Sequence, residues 1–347
     1  MAKGPGSREV RKLQLTGGAT YTLSLPKSWV ELNNLESSSG VLIDWRQSGA
    51  LRLTPSSGFH SPKRKITFVC EDLPPGSIFD HLVGAYLSGA TTIDIRTREK
   101  LGRGLRRTIR RFLKSTRGFE ISEEDDKRMI LISLLSASEL PLRASLNRMY
   151  QQLTSLMRDI DDVLHGGDIE LIEDHEEREQ EIDSMRLLIE RQVAALLDSY
   201  KIAEALELGR REAVEFANLS RTLERMADHA NQIAHLIEST KNFPQLDECE
   251  APLENIPIWT ESLRTLMINI REHDPGAISS ARNNLKDAQS KLEIYEDELW
   301  RSHSKTVPLL FKFRLSESVR RMCAYSRDFG EILLNIISHA QLVEEKT

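Results

Sequence analysis

Two pairs of acids, Glu179 with Asp183 and Glu224 with Asp228, carry the most chemistry in this chain. Each pair is spaced i, i+4 inside a long amphipathic stretch, so both members share one helix face a turn apart. The pairs are also mirror images in sequence. Glu179 with Asp228, and Asp183 with Glu224, both have their midpoint at 203.5. That point lies within Tyr200–Gly209, where the helical pattern weakens. Folded back as an antiparallel hairpin, the two helices would bring all four carboxylates to one level, roughly 30 Å from the turn at about 1.5 Å per residue. Two carboxylates about 4 Å apart repel by about 4 kcal/mol at an effective dielectric of about 20, so four of them on facing surfaces need a cation or bound protons. All-oxygen ligation suits Mg²⁺, Mn²⁺, Ca²⁺ or iron better than zinc or copper. Asn231, one turn beyond Asp228, can add a neutral oxygen ligand or hydrogen-bond a coordinated water. The plainer alternative is a solvated acidic face, or one neutralised by Arg178, Arg221 and Arg225. His175 and His235 share these faces but lie a turn or more deeper, and read as packed or surface histidines.

The elements that must position these acids are legible around them. Leu223-Glu224-Arg225-Met226-Ala227-Asp228-His229-Ala230-Asn231-Gln232-Ile233-Ala234 resembles the signature of the PhoU family of phosphate-signalling helical bundles. In that family the run sits on the third helix of a three-helix repeat, and an acidic-x-x-x-Asp motif on the second helix faces it. Glu179 and Asp183 match that partner motif, and the resemblance implies that the acids bind metal ions. Helical spacing marks runs near 142–164, 169–199 and 212–239, with Gly166-Gly167 between the first two and Asp168 placed to cap the second. After a break at 242–252, three more runs follow near 258–272, 277–302 and 315–344, split by Asp274-Pro275-Gly276 and by Pro308. Three helices, a break and three helices again is an internal duplication. In the second copy Val319-Arg320-Arg321-Met322-Cys323-Ala324 stands where Leu223–Asp228 stands in the first. Arginine and alanine replace the acids, which predicts a lost site, although Glu293 and Asp297 keep the spacing on the middle helix.

Charge divides the chain. Through Gly118 there are 20 Lys+Arg against 9 Asp+Glu, and beyond it 27 against 44. A basic front and an acidic back point to a polyanion as partner of the first and cations as partners of the second. Cys70, Cys249 and Cys323 have no paired spacing, so neither a disulfide framework nor a zinc site is indicated. The polar, basic start lacks a secretion signal and no run approaches 18 apolar residues, which predicts a cytoplasmic protein without membrane insertion.

In the basic front, Val10–Leu15 and Thr20–Leu25 flank Gly17-Gly18 as a strand–turn–strand, and Pro26 opens a short helix over 27–32. Val41–Trp45 and Ala50–Thr54 flank Gln47-Ser48-Gly49 as a second hairpin. Four short strands and one helical turn make a poor core alone, and a second copy would repair it. With Leu25-Pro26-Lys27-Ser28-Trp29 and Leu51-Arg52-Leu53-Thr54-Pro55, this segment resembles AbrB-type domains, in which hairpins of two chains interleave into one DNA-binding barrel. The stretch 33–40 is longer than that family's usual turn, and the acid after Gly40 is missing. The resemblance implies a homodimer, and Arg8, Arg11, Lys12 and Lys27 as contacts to the phosphates of double-stranded DNA.

A linker by composition over 56–62 leads to a small α/β module: strands over 66–70 and 91–96, a helix over 78–88 ended by Gly89, a basic helix over 98–116, and a hairpin from 118–122 and 128–134. On the basic helix Arg103, Arg107, Arg110, Lys114 and Arg117 form one stripe at 3-4 spacing, either solvated or a second phosphate contact. The expected organisation is an α+β multidomain chain. Residues 1–57 are the swapped-hairpin barrel, 62–136 the α/β connecting domain, and 139–347 tandem three-helix bundles divided into 139–241 and 253–347. The function these features support is negative regulation, at the level of transcription, of phosphate uptake. The alternative is a PhoU-type protein that acts by direct contact with a phosphate transporter or sensor, its barrel only dimerising. A di-iron bundle enzyme would use Glu-x-x-His pairs. No histidine here has glutamate three residues before it, so no enzyme is expected.

Overall fold

A computed structural model describes residues 8–45, 49–56, 63–135, 141–240, 243–244, 246–301 and 306–342. Part of the 47–49 turn and most of the 56–62 linker lie outside the described residues. The chain divides into two compact units, Met1–Pro62 and Lys63–Thr347.

The first unit holds β1 (Gln14–Thr16), β2 (Thr20–Thr22), α1 (Lys27–Leu32), β3 (Val41–Trp45) and β4 (Leu51–Pro55). The described strands pair as two separate antiparallel hairpins, β1 with β2 and β3 with β4. Gly17 and Gly18, at φ of 64° and 81°, supply the left-handed backbone that the first turn needs. The strands of the first hairpin are shorter than the apolar pattern predicts, with the side chains over 10–13 and at Leu23 exposed, whereas those of the second keep the expected length. Among the described residues of this unit only Pro55 is buried, while Trp45 is 83% exposed and Val10 99%.

In the second unit, β5 (Lys65–Val69), α2 (Ile78–Leu87), β6 (Thr92–Arg96), α3 (Arg103–Ser115), β7 (Phe119–Glu124) and β8 (Arg128–Ser133) build a four-stranded sheet of order β5-β6-β8-β7. The β5–β6 pair is parallel and α2 makes the crossover. Asp94, fully buried on β6, is held by Arg96, Arg128 and Lys65. The basic helix begins at Arg103, not at Arg98, since Arg98 is drawn back to Asp72 and Glu71.

The helical part runs α4 (Leu142–Leu164), α5 (His175–Asp198), α6 (Tyr200–Ala205), α7 (Arg210–Ser239), α8 (Ala251–Glu272), α9 (Pro275–Arg301) and α10 (Val307–Ala340). Three helix starts differ from expectation. Asp168 caps a short 3-10 turn over 169–172, which buries Ile172 before α5 starts at His175. Helix α8 starts at Ala251, not Ile258, and carries Pro257 inside it. Burial of Leu253, Ile256 and Trp259 offsets the helix bond that the proline cannot make. Helix α10 starts at Val307, not near 315: Pro308 sits inside its first turn, where its missing N–H costs nothing, rather than breaking the chain ahead of it. One continuous core runs through both triplets. Trp259 Nε1 donates to Ser326 Oγ at 2.9 Å, which lies 3.0 Å from Met226 Sδ, so the two repeats meet at α7, α8 and α10.

Candidate metal centre

Helix α5 carries two working faces. Leu187 belongs to the core of the α/β module. One helical turn on, the buried Arg191 donates to Tyr86 O at 2.6 Å and Ala90 O at 2.7 Å, with its guanidinium over the rings of Tyr86 and Phe119. Arg117 of the basic stripe turns the same way, donating to Ser184 Oγ at 3.0 Å. It therefore leaves the exposed row formed by Arg103, Arg107, Arg110 and Lys114. The other face of α5 presents Glu179 and Asp183 to α7.

Across the α5–α7 interface the four acids lie close enough to act on one another's charge. Glu179 faces Asp183 and Asp228, Asp183 lies within hydrogen-bond reach of Glu224, and Glu224 also feels Asp228. Burial lifts the carboxyls of all four above their ordinary range, and repulsion from the other acids adds to it at Glu179, Glu224 and Asp228. Glu224 is pushed up to about 7, chiefly by burial and against the pull of Arg186. The mirrored spacing works because α5 and α7 are antiparallel and the interface between them is packed by Ile182, Ile189, Met226 and Ile233.

The neutralising arginine is one that spacing alone did not single out. Arg186 Nε lies 3.1 Å from Glu224 Oε1 and 4.0 Å from Asp183 Oδ1, and its Nη1 reaches Glu190. Its position three residues after Asp183 was the available signal. The three arginines considered from sequence are engaged elsewhere. Arg178 pairs with Asp159 and Asp174, Arg221 with Glu190, and Arg225 lies over the Tyr325 ring. One guanidinium beside four carboxylates, with Arg225 acting on Glu224 and Asp228 from its place over Tyr325, leaves the cluster short of positive charge. The donor set is half-buried and all oxygen, the chemistry a hard cation takes. Among the described residues, however, no three of these acids bring ligand oxygens within 4.8 Å of one another, so binding an ion would need the side chains to draw together.

Residues 146–237 match the PhoU domain family. Comparison with curated proteins finds no match. The PhoU domain covers α5, most of α7 and all four acids, and it points to a regulator of phosphate homeostasis. Its Asp228-His229 step separates two roles: Asp228 faces α5, whereas His229 stacks on Tyr325 of α10 at 5.8 Å. Burial and the nearby Arg321 push the His229 imidazole below its usual range, as suits a packed neutral ring.

Asn231 has a part different from that of an oxygen ligand. Its Nδ2 donates to Glu179 Oε2 at 3.1 Å and its Oδ1 accepts from His175 Nδ1, so it orients Glu179. In the second repeat, Arg320 stands at the position of Glu224 and binds Glu296 through both carboxylate oxygens, at 3.0 and 2.9 Å. Glu293 and Asp297 are exposed, so the acid facing that helix is Glu296, a residue the spacing did not mark. Of the basic residues expected at DNA, Arg8 and Lys12 are exposed, Arg11 pairs with Glu9, and Lys27 pairs with Glu31 at 3.6 Å. Among the described residues no helix is long and apolar enough to cross a membrane.

Proposed function

We propose that this protein regulates phosphate uptake, with the first repeat of its helical domain holding a hard metal ion and its N-terminal segment binding DNA as a dimer. The observation that carries the reading is the closeness of Glu179, Asp183, Glu224 and Asp228 across α5 and α7 inside the PhoU domain. Mg²⁺, Mn²⁺, Ca²⁺ or iron would be held by these four acids, with Asn231 setting the direction of Glu179. Bound there, the ion would supply positive charge and leave open positions for water or phosphate. Arg186 would then release or share Glu224, and the state of the cluster would reach the α/β module through α5, whose Arg191 is anchored in that module.

DNA binding rests on the basic first unit and on its exposed apolar strands, which a second copy would cover. Arg8, Arg11, Lys12 and Lys27 would contact phosphates, and repression of transport genes would follow from occupancy of an operator. The test is fluorescence anisotropy with the protein's own upstream DNA, with and without Mn²⁺ and phosphate. Tight, salt-sensitive binding is expected, and Arg11→Ala with Lys12→Ala should flatten the salt dependence by roughly two phosphate contacts. Equal, weak binding to any duplex, unchanged in that variant, would favour instead a role by direct contact with a transporter or sensor.

A further inference from the structure

Beside the acid cluster, and outside it, His175, His235 and Glu238 converge, with one donor atom from each lying within 4.8 Å of the others. His175 opens α5 and is 3% exposed, whereas His235 and Glu238 lie on the exposed side of the last turns of α7. The two imidazole centroids are 6.4 Å apart. The hydrogen bonds around His175 fix its chemistry. Asn231 gives its amide hydrogen to Glu179, so its oxygen faces His175 Nδ1 and can only accept. Nδ1 therefore carries hydrogen, and the lone pair of a neutral ring lies on Nε2. Glu238 Oε2 lies 3.0 Å from that nitrogen. A proton or a metal ion must join the two, and the third donor converging from His235 gives the group the make-up of a metal site. Two ligands at about 2.0–2.2 Å from one ion stand about 3.3–3.6 Å apart at the tetrahedral angle, so a few tenths of an ångström of opening would seat an ion between these atoms. A metal-bound imidazole whose other nitrogen donates to a fixed oxygen is also the usual support for such a ligand.

We infer that His175 Nε2, His235 and Glu238 form a second metal site, for a borderline divalent ion of the Zn²⁺, Co²⁺ or Ni²⁺ class, separate from the hard-cation cluster. Two nitrogens and one carboxylate select that class over Mg²⁺ or Ca²⁺, and one position stays open to water. The ion would tie the start of α5 to the end of α7.

The decisive experiment titrates Co²⁺ into the full-length chain, free of any polyhistidine tag, and follows its visible absorption with Zn²⁺ as competitor. One equivalent of Zn²⁺-displaceable Co²⁺ is expected in the parent and in D183N/D228N alike. His235→Ala and Glu238→Gln alter exposed side chains, so the fold should survive, and each should weaken Co²⁺ by at least about tenfold. No Co²⁺ spectrum in the parent overturns the site. So does a spectrum unchanged in both H235A and E238Q, or one lost in D183N/D228N but kept in H235A. Failure of hard-cation binding, read with Mn²⁺ on the parent, would leave this titration unaffected.

Discussion

Arg320 holds Glu296 by two hydrogen bonds of 3.0 and 2.9 Å at the level where the first repeat sets Glu224 against Asp183. One helix pair thus solves the same electrostatic problem in two ways. The second repeat supplies its own cation covalently, with Ser316 Oγ also donating to the buried Glu296 at 3.1 Å. The first repeat sets Arg186 beside its four acids, with Arg225 acting from further off. Removing Arg320 should leave a buried carboxylate unpaired. We expect Arg320→Ala to cost about 3–5 kcal/mol in urea unfolding, and the joint change R320M/E296L to restore most of it. A loss below about 1 kcal/mol for R320A would mean that water already serves Glu296.

The carboxyl of Glu224 ordinarily titrates at 4.5 and in the fold at about 7. A raised folded value means that its contribution to stability is fully present below 4.5 and is lost as pH rises through about 7. Glu179, Asp183 and Asp228 are shifted the same way, while Arg186 and Arg225 oppose the shift of Glu224. Without divalent cations, melting temperature should therefore fall between about pH 5 and about pH 8, and less steeply in Glu224→Gln. Saturating Mn²⁺ should abolish the difference. Identical slopes in both proteins would show that Glu224 is already ionised at the lower pH.

Arg191 offers a check on the coupling of the bundle to the α/β module. Its guanidinium serves two buried carbonyls, Tyr86 O and Ala90 O, which Arg191→Met would strand. The expected loss is about 2–4 kcal/mol. Hydrogen exchange should locate it in α2 and the strand ends around Ala90. Protection unchanged there would place the anchoring of the module in its apolar contacts alone.

Much of this was readable because local chemistry and global fold agree. The mirror about 203.5 placed the acids at one level since α5 and α7 are long, continuous and antiparallel. The helix starts of α5 and α8 were not readable, since burial of Ile172 and Trp259 decided them and tertiary packing overrides cap and proline signals. Arg186, Arg191 and Glu296 were missed for one reason. Each is a charged residue on a face that pattern analysis assigns to solvent, and only the neighbouring element makes it internal. The short strands of the first unit show the reverse, with an apolar pattern that finds no cover within one chain.

That uncovered surface sets the next expectation. Leu15, Tyr21, Ile43, Trp45 and Leu51 are each at least 60% exposed, more than a small monomeric unit leaves in water. The full chain should be a dimer by light scattering. A chain lacking residues 1–56 should be a monomer with its helical circular dichroism intact. A dimer that survives the deletion would move the interface to the helical unit.

The acid cluster itself gives the last prediction. Replacing Asp183 and Asp228 by asparagine removes two of its four negative charges without changing side-chain volume. In the absence of metal the variant should be no less stable than the parent, since relieved burial and repulsion outweigh the lost attraction to Arg186 and Arg225, as the raised carboxyls of Asp183 and Asp228 indicate. With metal the order should reverse. An ion present at about a hundred times its Kd stabilises the folded parent by about 2.7 kcal/mol, and the variant by almost nothing. Elemental analysis of the purified proteins and melting curves with and without Mn²⁺ separate the outcomes. Metal retained at equal content in both proteins, or no stabilisation of the parent by Mg²⁺, Mn²⁺, Ca²⁺ or iron, would return Glu179, Asp183, Glu224 and Asp228 to a proton-sharing cluster steadied by Arg186 and Arg225.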